Sequence, residues 1–246
     1  MNLAVTLSCG QCFRFSQDQD GYWNGIAGIK GSEHRLHTRQ CDQRALEDDP
    51  FWHHYFSFDR DYEAIESDLR GRFEILDKAM DAVGQIRILS QDPWETLGSF
   101  ILSQNNNIKR IRGMVERLCR GSGFPSAEEI VQCKDFLCTI GLGFRDKYLY
   151  CGAASIAQGK LDLKALSTMS TEEARKALMT IYGVGPKVAD CTLLYGLGRY
   201  EVCPMDVWMK RVMEAWFNGE SPSILGPYAG VAQQYLFHYA RMIDLK

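Results

Sequence analysis

The chain is 246 residues long, 46% hydrophobic and 24% charged, with 28 Lys and Arg against 31 Asp and Glu. It can bury a substantial core and holds enough residues for two or three subdomains, while no apolar run approaches the roughly 20 residues that span a bilayer, so no membrane partner is expected. MNLAVTLSCGQCF lacks the positive leader and long apolar segment of an export signal, which points to an intracellular protein, in the cytoplasm or nucleoid if the source is prokaryotic. The nine cysteines then read as mostly reduced thiols, and Cys9-Gly10-Gln11-Cys12 has redox spacing without a βαβ context to support it.

Within residues 1–40, LAVTL, CFRFS, YWNGIAGI and HRLHTR are separated by turn formers and read as strands of a small antiparallel sheet. From Asp49 the rhythm becomes helical, with DPFWHHYF, DYEAIESDLR and FEILDKAMDAVG as short candidates. Asp92 and Pro93 suit the cap and first position of a helix over DPWETLGSFILSQ. IKRIRGMVERLCR places Ile108, Ile111, Val115 and Leu118 on one face and leaves Lys109, Arg110, Arg112 and Arg117 outside it. Further helices are expected at 126–133, 134–140, 145–158 and 170–181, the last opened by a Ser170–Glu173 capping box, then at about 207–217 and 227–243. The class is mostly α with a small N-terminal antiparallel β subdomain (α+β), divided as 1–90, 91–205 and 206–246.

Charge is unevenly distributed. Residues 42–68 hold nine acidic and two basic side chains, whereas Ile108–Arg120 holds five basic and one acidic. An acidic block facing away from a polyanion while a basic stripe faces it would give this pattern, as would two ordinary solvated faces.

IYGVGPKVADCTLLYGLGRYEVCPMD, residues 181–206, reads as a helix end, a glycine hairpin and a second helix. Gly183 and Gly185 can turn backbone N–H groups outward beside the positive end of a helix, which makes a phosphate grip, although such turns also simply end helices. Lys187 falls in the first turn of the second helix, where a cation is electrostatically disfavoured. It is a solvated charge, or an amine held there to act as a nucleophile. Asp206, nineteen residues later and after Pro204, can cap the next helix, and that position also fixes the direction of its carboxylate. Together the two suit cleavage of an N-glycosidic bond, the carboxylate stabilising positive charge on the sugar while the amine attacks C1′. After the hairpin only Cys191 and Cys203 remain, too few for a four-cysteine iron–sulfur site, and the five histidines form no zinc motif, so no metal catalyst is expected.

SCGQCFRF, QDPWETLGSFILSQNNNIKRIRGMVERLC, LGLGFRDKYL, GVGPKVADC, CPMDVWMKRV and GPYAGVAQQYLF, in this order across nearly the whole chain, resemble the helix–hairpin–helix DNA glycosylases, specifically the eukaryotic-type 8-oxoguanine DNA glycosylase/AP lyase family. The resemblance implies a helix–hairpin–helix glycosylase fold in a monomer that excises 8-oxoguanine opposite cytosine and cleaves abasic-site DNA by β-elimination. Its partner would be double-stranded DNA carrying that lesion. It implies Lys187 as the Schiff-base lysine with Asp206 as its carboxylate. Gly10 would offer the carbonyl that accepts the N7–H of the lesion, Cys191 and Phe237 the two faces of the base pocket, and Gln233 its Watson–Crick-edge reader. Asn105, Arg110 and Arg145 would fill the gap left by the flipped base and read the opposing cytosine, with Phe144 as the aromatic wedge. No cofactor is required, and hairpin carbonyls leave room for a structural cation.

The chain departs from the family pattern in three places. Trp208 stands where the family has a histidine that would touch phosphate or relay a proton, and Ala240 stands where it has an acidic residue. Nine residues precede Gly10, so an edge strand of the β domain is expected to be absent. Each residue taken alone also has a plainer reading: Cys191, Phe144 and Phe237 as core, Gly10 as a turn, Asn105 as a loop residue, Gln233 as solvent-facing, Arg110 and Arg145 as surface charges or phosphate contacts. Two other functions fit the same hairpin, a glycosylase for another oxidised or alkylated base and a non-catalytic DNA-binding module.

Overall fold

In the computed structural model, which describes residues 1–245, LAVTL is a helix and not a strand: α1 spans Leu3–Ser8. Alternation of Leu3, Val5 and Leu7 suggests a strand, but Asn2 Oδ1 accepts from Val5 N at 3.2 Å, and Leu3, Thr6 and Leu7 bury one helical face. The other three segments form β1 (Phe15–Gln17), β2 (Trp23–Ala27) and β3 (His34–Thr38), an antiparallel sheet in that order with Phe15 opposite Gly25 and Trp23 opposite Thr38.

The sheet is backed by α2 (Gln43–Asp48) and α3 (Pro50–Tyr55). The highly charged QRALED of α2, with only Leu46 buried, carries too little apolar periodicity to be read from sequence. Phe15, Trp23 and Leu36 from the sheet pack with Trp52, Tyr55 and Phe56 of and just beyond α3, the Phe15 ring meeting Trp52 and Tyr55 edge-on at 6.5 and 6.0 Å. After α4 (Tyr62–Leu69) and α5 (Glu74–Val83) the chain enters the helical body: α6 (Pro93–Leu102), α7 (Ile108–Cys119), α8 (Ala127–Gln132), α9 (Lys134–Thr139), α10 (Arg145–Ala157), α11 (Thr171–Leu178), α12 (Pro186–Leu197), α13 (Val207–Phe217) and α14 (Ala229–Met242).

The central helix is α6, buried at every position from Trp94 to Leu102 and packed against α7, α10 and α12. Asp92 Oδ1 caps it, accepting from Trp94 N at 2.8 Å and Glu95 N at 2.9 Å. Because α6 is covered all round, whatever follows its last turn is held in place from several sides. The capping box at Ser170 and Glu173 opens α11, and Arg175 Nε donates to Asp190 Oδ1 at 2.6 Å, tying α11 to α12 across the hairpin. Among the described residues no helix is long and apolar enough to cross a membrane.

The sheet joins the body through Glu95 on α6. Its carboxylate pairs with Arg14 at 3.3 Å and accepts from Gly28 N at 2.8 Å, and burial pushes its pKa up to about 7 against the pull of Arg14. A carboxyl raised by folding holds its proton more tightly in the folded protein than in the unfolded chain. Its contribution to stability is complete below the unfolded value of 4.5 and is lost as pH rises through about 7. Glu95→Gln should therefore flatten thermal stability between those two pH values. A decline as steep as that of the parent protein would assign the pH dependence to another group.

Candidate active site

Between α11 and α12 the chain turns at Gly183-Val184-Gly185. Gly183 has φ +88°, and a Cβ there would lie 2.2 Å from the Tyr148 ring, so backbone conformation and space both require glycine. Gly185 caps α12 with nothing within 4 Å of where its Cβ would be, leaving that side open to a ligand. Val184 N is used by Ile181 O, whereas Gly183 N, Gly185 N and Lys187 N have no acceptor among the described residues. Those three donors and the helix N-terminus are thereby available to an anion.

Pro186 opens α12 and Lys187 follows. Lys187 Nζ donates to Ser103 Oγ at 2.9 Å and lies over the Phe100 ring at 4.8 Å, both partners coming from the end of α6. Since Ser103 gives its own proton to Phe100 O at 2.7 Å, its lone pairs face the amine. Asp206 caps α13 through Oδ1, which accepts from Met209 N at 2.8 Å, and Oδ2 has no partner among the described residues. One carboxylate oxygen thus fixes the side chain while the other remains free.

Lys187 and Asp206 line one cleft of about 660 Å³ together with Gly10, Phe100, Asn105, Trp208 and Phe237. Gly10, Lys187, Asp206 and Phe237 also line an adjoining recess of about 50 Å³, where Cys191 and Gln233 complete the wall. Cys191 is buried, and desolvation pushes its thiol up to about 12 despite the nearby lysine, so it presents a neutral sulfur. Gln233 Oε1 accepts from Gln234 Nε2 at 2.7 Å and from the Tyr195 hydroxyl at 3.4 Å, leaving its own amide nitrogen without a partner among the described residues. Trp208 faces the cleft with Arg211 stacked at 5.3 Å, and Ala240 is fully buried.

Gly10 has φ +92°, while a Cβ there would meet only ordinary contacts at 3.5 and 3.9 Å; conformation, and not space, calls for glycine. Its carbonyl accepts no bond among the described residues, whereas the next residue is heavily engaged. Gln11, fully buried, donates from Nε2 to Thr6 O at 2.9 Å and Arg87 O at 2.8 Å and accepts from Leu89 N at 2.9 Å, and Gln91 Nε2 donates to Gln11 O at 2.7 Å. These glutamines fix the Gly10 loop. Gln11, Gln91 and Ser103 fall within segments that carry the family resemblance, but no role is read for them there; their contacts exist only once distant segments meet.

The group expected at the opposite strand divides. Asn105 is exposed in the left-handed region at φ +47°, Arg110 is exposed and unpaired, and Phe144 is 46% exposed with its ring edge against Tyr148 at 5.5 Å. Arg145, by contrast, is 3% exposed. Its Nε donates to Gln104 O at 2.7 Å, Nη1 to Leu142 O at 3.3 Å and Nη2 to Asn105 O at 3.0 Å. Burial, and after it the Arg110 charge, holds the guanidinium below its ordinary range. The donors thought free for a base thus brace the turn that carries Asn105, because a guanidinium can satisfy several carbonyls at once.

The basic stripe of α7 is narrower than its sequence suggests. Arg112 reaches Leu7 O at 3.5 Å, Arg117 donates to Ile140 O at 2.7 Å and Arg120 stacks on Phe136 at 3.7 Å, which leaves Lys109 and Arg110 free to face a polyanion. The acidic stretch is used elsewhere: Asp49 and Asp61 cap α3 and α4, Asp68 pairs with Arg72 at 2.7 Å, and none of residues 42–68 lines the cleft. Cys9 and Cys12 are buried free thiols, both pushed up by desolvation.

Residues 1–97 match the family described as 8-oxoguanine DNA glycosylase, N-terminal domain. An N-glycosylase/DNA lyase of Saccharomyces cerevisiae is 38% identical over 152 residues, 52% of this chain and 40% of the relative. A probable N-glycosylase/DNA lyase of Methanothermobacter thermautotrophicus is 30% identical over 213 residues, 69% of this chain and 68% of the relative. The solved structure of the Clostridium acetobutylicum 8-oxoguanine glycosylase/lyase with double-stranded DNA containing cytosine opposite 8-oxoguanine superposes with a TM-score of 0.85 at 30% identity, covering 99% of this chain and 93% of that one. The chain thus spans less than half of the yeast relative, whereas nearly all of the bacterial chain is matched.

Proposed function

Because the chain belongs to the 8-oxoguanine DNA glycosylase family of helix–hairpin–helix glycosylases, we propose that it is a bifunctional DNA glycosylase/AP lyase that excises 8-oxoguanine opposite cytosine. The observation that carries the reading is the meeting of Lys187, Asp206 and Gly10 in one cleft beside an anion-gripping hairpin. The hairpin holds a backbone phosphate of the damaged strand. The lesion, flipped from the helix, enters the recess between Cys191 and Phe237, where the free amide nitrogen of Gln233 reads its edge. Asp206 Oδ2 stabilises positive charge as the N-glycosidic bond breaks, and Lys187 Nζ bonds to C1′ as the base leaves. The base leaves with the electron pair of the glycosidic bond, and the C1′–O4′ bond then opens as an amine proton passes to O4′, which gives the Schiff base. This acidifies C2′, and loss of that proton expels the 3′ phosphate. No cofactor is needed. In this reading residues 1–90 supply the lesion-reading loop, 91–205 the hairpin and nucleophile, and 206–246 the carboxylate and pocket wall. A monomer suffices, acting inside the cell on double-stranded DNA.

Wild-type protein incubated with borohydride and a duplex containing 8-oxoguanine opposite cytosine should yield a covalent protein–DNA complex. Trapping on a 3-methyladenine duplex with none on 8-oxoguanine would transfer the function to alkylated bases. Binding without trapping on any damaged duplex would leave a DNA-binding module.

Discrimination from guanine rests on Gly10 O. The oxidised base carries N7–H and donates to it, whereas guanine presents a lone pair to the same carbonyl, a mismatch of about 1–3 kcal/mol in a dry pocket. Gly10→Ala strains a φ of +92° and so displaces that carbonyl. Excision of 8-oxoguanine should fall more than cleavage of a preformed abasic site, which has no base to read. Equal losses on the two substrates would make Gly10 a residue of the fold or of general DNA docking.

A further inference from the structure

The consecutive residues Ser103, Gln104 and Asn105 touch the nucleophile, the hairpin and the gap-filling turn. Ser103 Oγ accepts from Lys187 Nζ at 2.9 Å. Gln104 Nε2 reaches across to the hairpin and donates to Gly183 O at 3.1 Å, while the Gln104 carbonyl accepts from Arg145 Nε at 2.7 Å. Asn105 O accepts from Arg145 Nη2 at 3.0 Å, and Asn105 itself stands in a left-handed conformation with its side chain exposed. The Gln104 side chain is half-buried, and besides Gly183 its amide donates, among the described residues, only to Ile101 O at 3.3 Å, in the last turn of α6. Among the described residues it thus links the turn that carries Asn105 directly to the hairpin glycines, beside the bond of Lys187 to Ser103.

We infer that Gln104 is a positioning residue for opposite-base selectivity, through which the base left in the gap sets the hairpin and the nucleophile. The inference rests on the glycosylase reading above. Arg145 spends three of its five N–H groups on the carbonyls of residues 104 and 105 and a fourth on Leu142 O, so swinging the guanidinium toward a base in the gap to offer it a donor pair loosens its hold on the 104–105 turn. Cytosine offers adjacent acceptors at O2 and N3 that match this exchange, whereas adenine presents a donor at N6 beside its N1 acceptor. Movement of the Gln104 backbone carries its amide, and with it Gly183 O. Since Gly183 lies against the Tyr148 ring and four residues before Lys187, the hairpin moves as a unit with the first turn of α12. Selectivity of this kind acts on the rate of the chemical step, since it adjusts where the phosphate and the amine sit.

Gln104→Met keeps the side chain's length and removes its donor. Single-turnover excision of 8-oxoguanine opposite cytosine should slow, and the ratio of rates opposite cytosine and opposite adenine should fall about three- to tenfold, with the affinity for undamaged duplex and the melting temperature close to those of the wild type. Asn105→Gly, which keeps the left-handed backbone and deletes the base-facing amide, should reduce the ratio much less in the Met background than alone, because the two changes interrupt one route. An unchanged ratio, or an equal fall opposite both bases, overturns the inference. If Gln104→Met melts below the assay temperature, Gln104→Glu is used instead: it preserves size and sets an acceptor against Gly183 O, and the ratio must fall there too. Wild-type protein that excises 8-oxoguanine opposite neither base, or shows no preference between them, would instead overturn the proposed function.

Discussion

Lys187→Gln should abolish the borohydride-trapped complex and lower excision by at least about 10³-fold, while lesion DNA still binds. Glutamine has good helix propensity and can still donate to Ser103, so the first turn of α12 and its contact with α6 are preserved. The variant loses only the amine that forms the bond to C1′. The N–H groups proposed to hold phosphate belong to the backbone of Gly183, Gly185 and residue 187, and the substitution leaves them in place. A gel-shift titration beside the trapping assay checks both halves. Undiminished trapping would assign the nucleophile to another amine, and joint loss of binding and trapping would make Lys187 a docking residue.

For Asp206→Asn the expected result separates two jobs of one side chain. Asparagine is as good a cap as aspartate, so the bond to Met209 N at 2.8 Å and the start of α13 survive, and the melting temperature should shift little. What disappears is the negative charge on the oxygen facing the cleft. Removing a preorganised charge from the position where the transition state develops its own typically costs about 10²–10³-fold in rate. Single-turnover excision should fall by that order. Near-normal excision together with a large loss of stability would reduce Asp206 to a cap.

Much of this site is legible in the sequence because its signals are local. Asp92-Pro93, Ser170 to Glu173 and Pro204 to Asp206 announce helix starts within a few residues, and the structure opens helices at all three. Glycines at 183 and 185 mark the hairpin in the same way. The failures also have a common cause. In LAVTL, five residues satisfy both a strand and a helix period, and a single cap from Asn2 decides between them. Arg145 reads as a free cation until Gln104, Asn105 and Leu142 bring their carbonyls to it. Gln11 and Gln91 are polar residues in a loop, and only the approach of Arg87 and Leu89 turns them into the clasp behind Gly10. Contacts between segments about eighty residues apart leave no periodic trace in the chain.

The buried state of Cys191 bears on how this protein would endure the conditions that create its substrate. Peroxides attack the thiolate, and burial pushes the Cys191 thiol up to about 12, which disfavours that form at neutral pH. Burial raises the thiol of Cys9, next to Gly10, in the same way, and so disfavours the first step toward sulfenic acid at both positions. Cys41, Cys133 and Cys138 lie exposed, away from the cleft and its recess, and are open to oxidants that do not reach the pocket. Burial thus disfavours the thiolate, the form that oxidants attack, at both cysteines that line the recess.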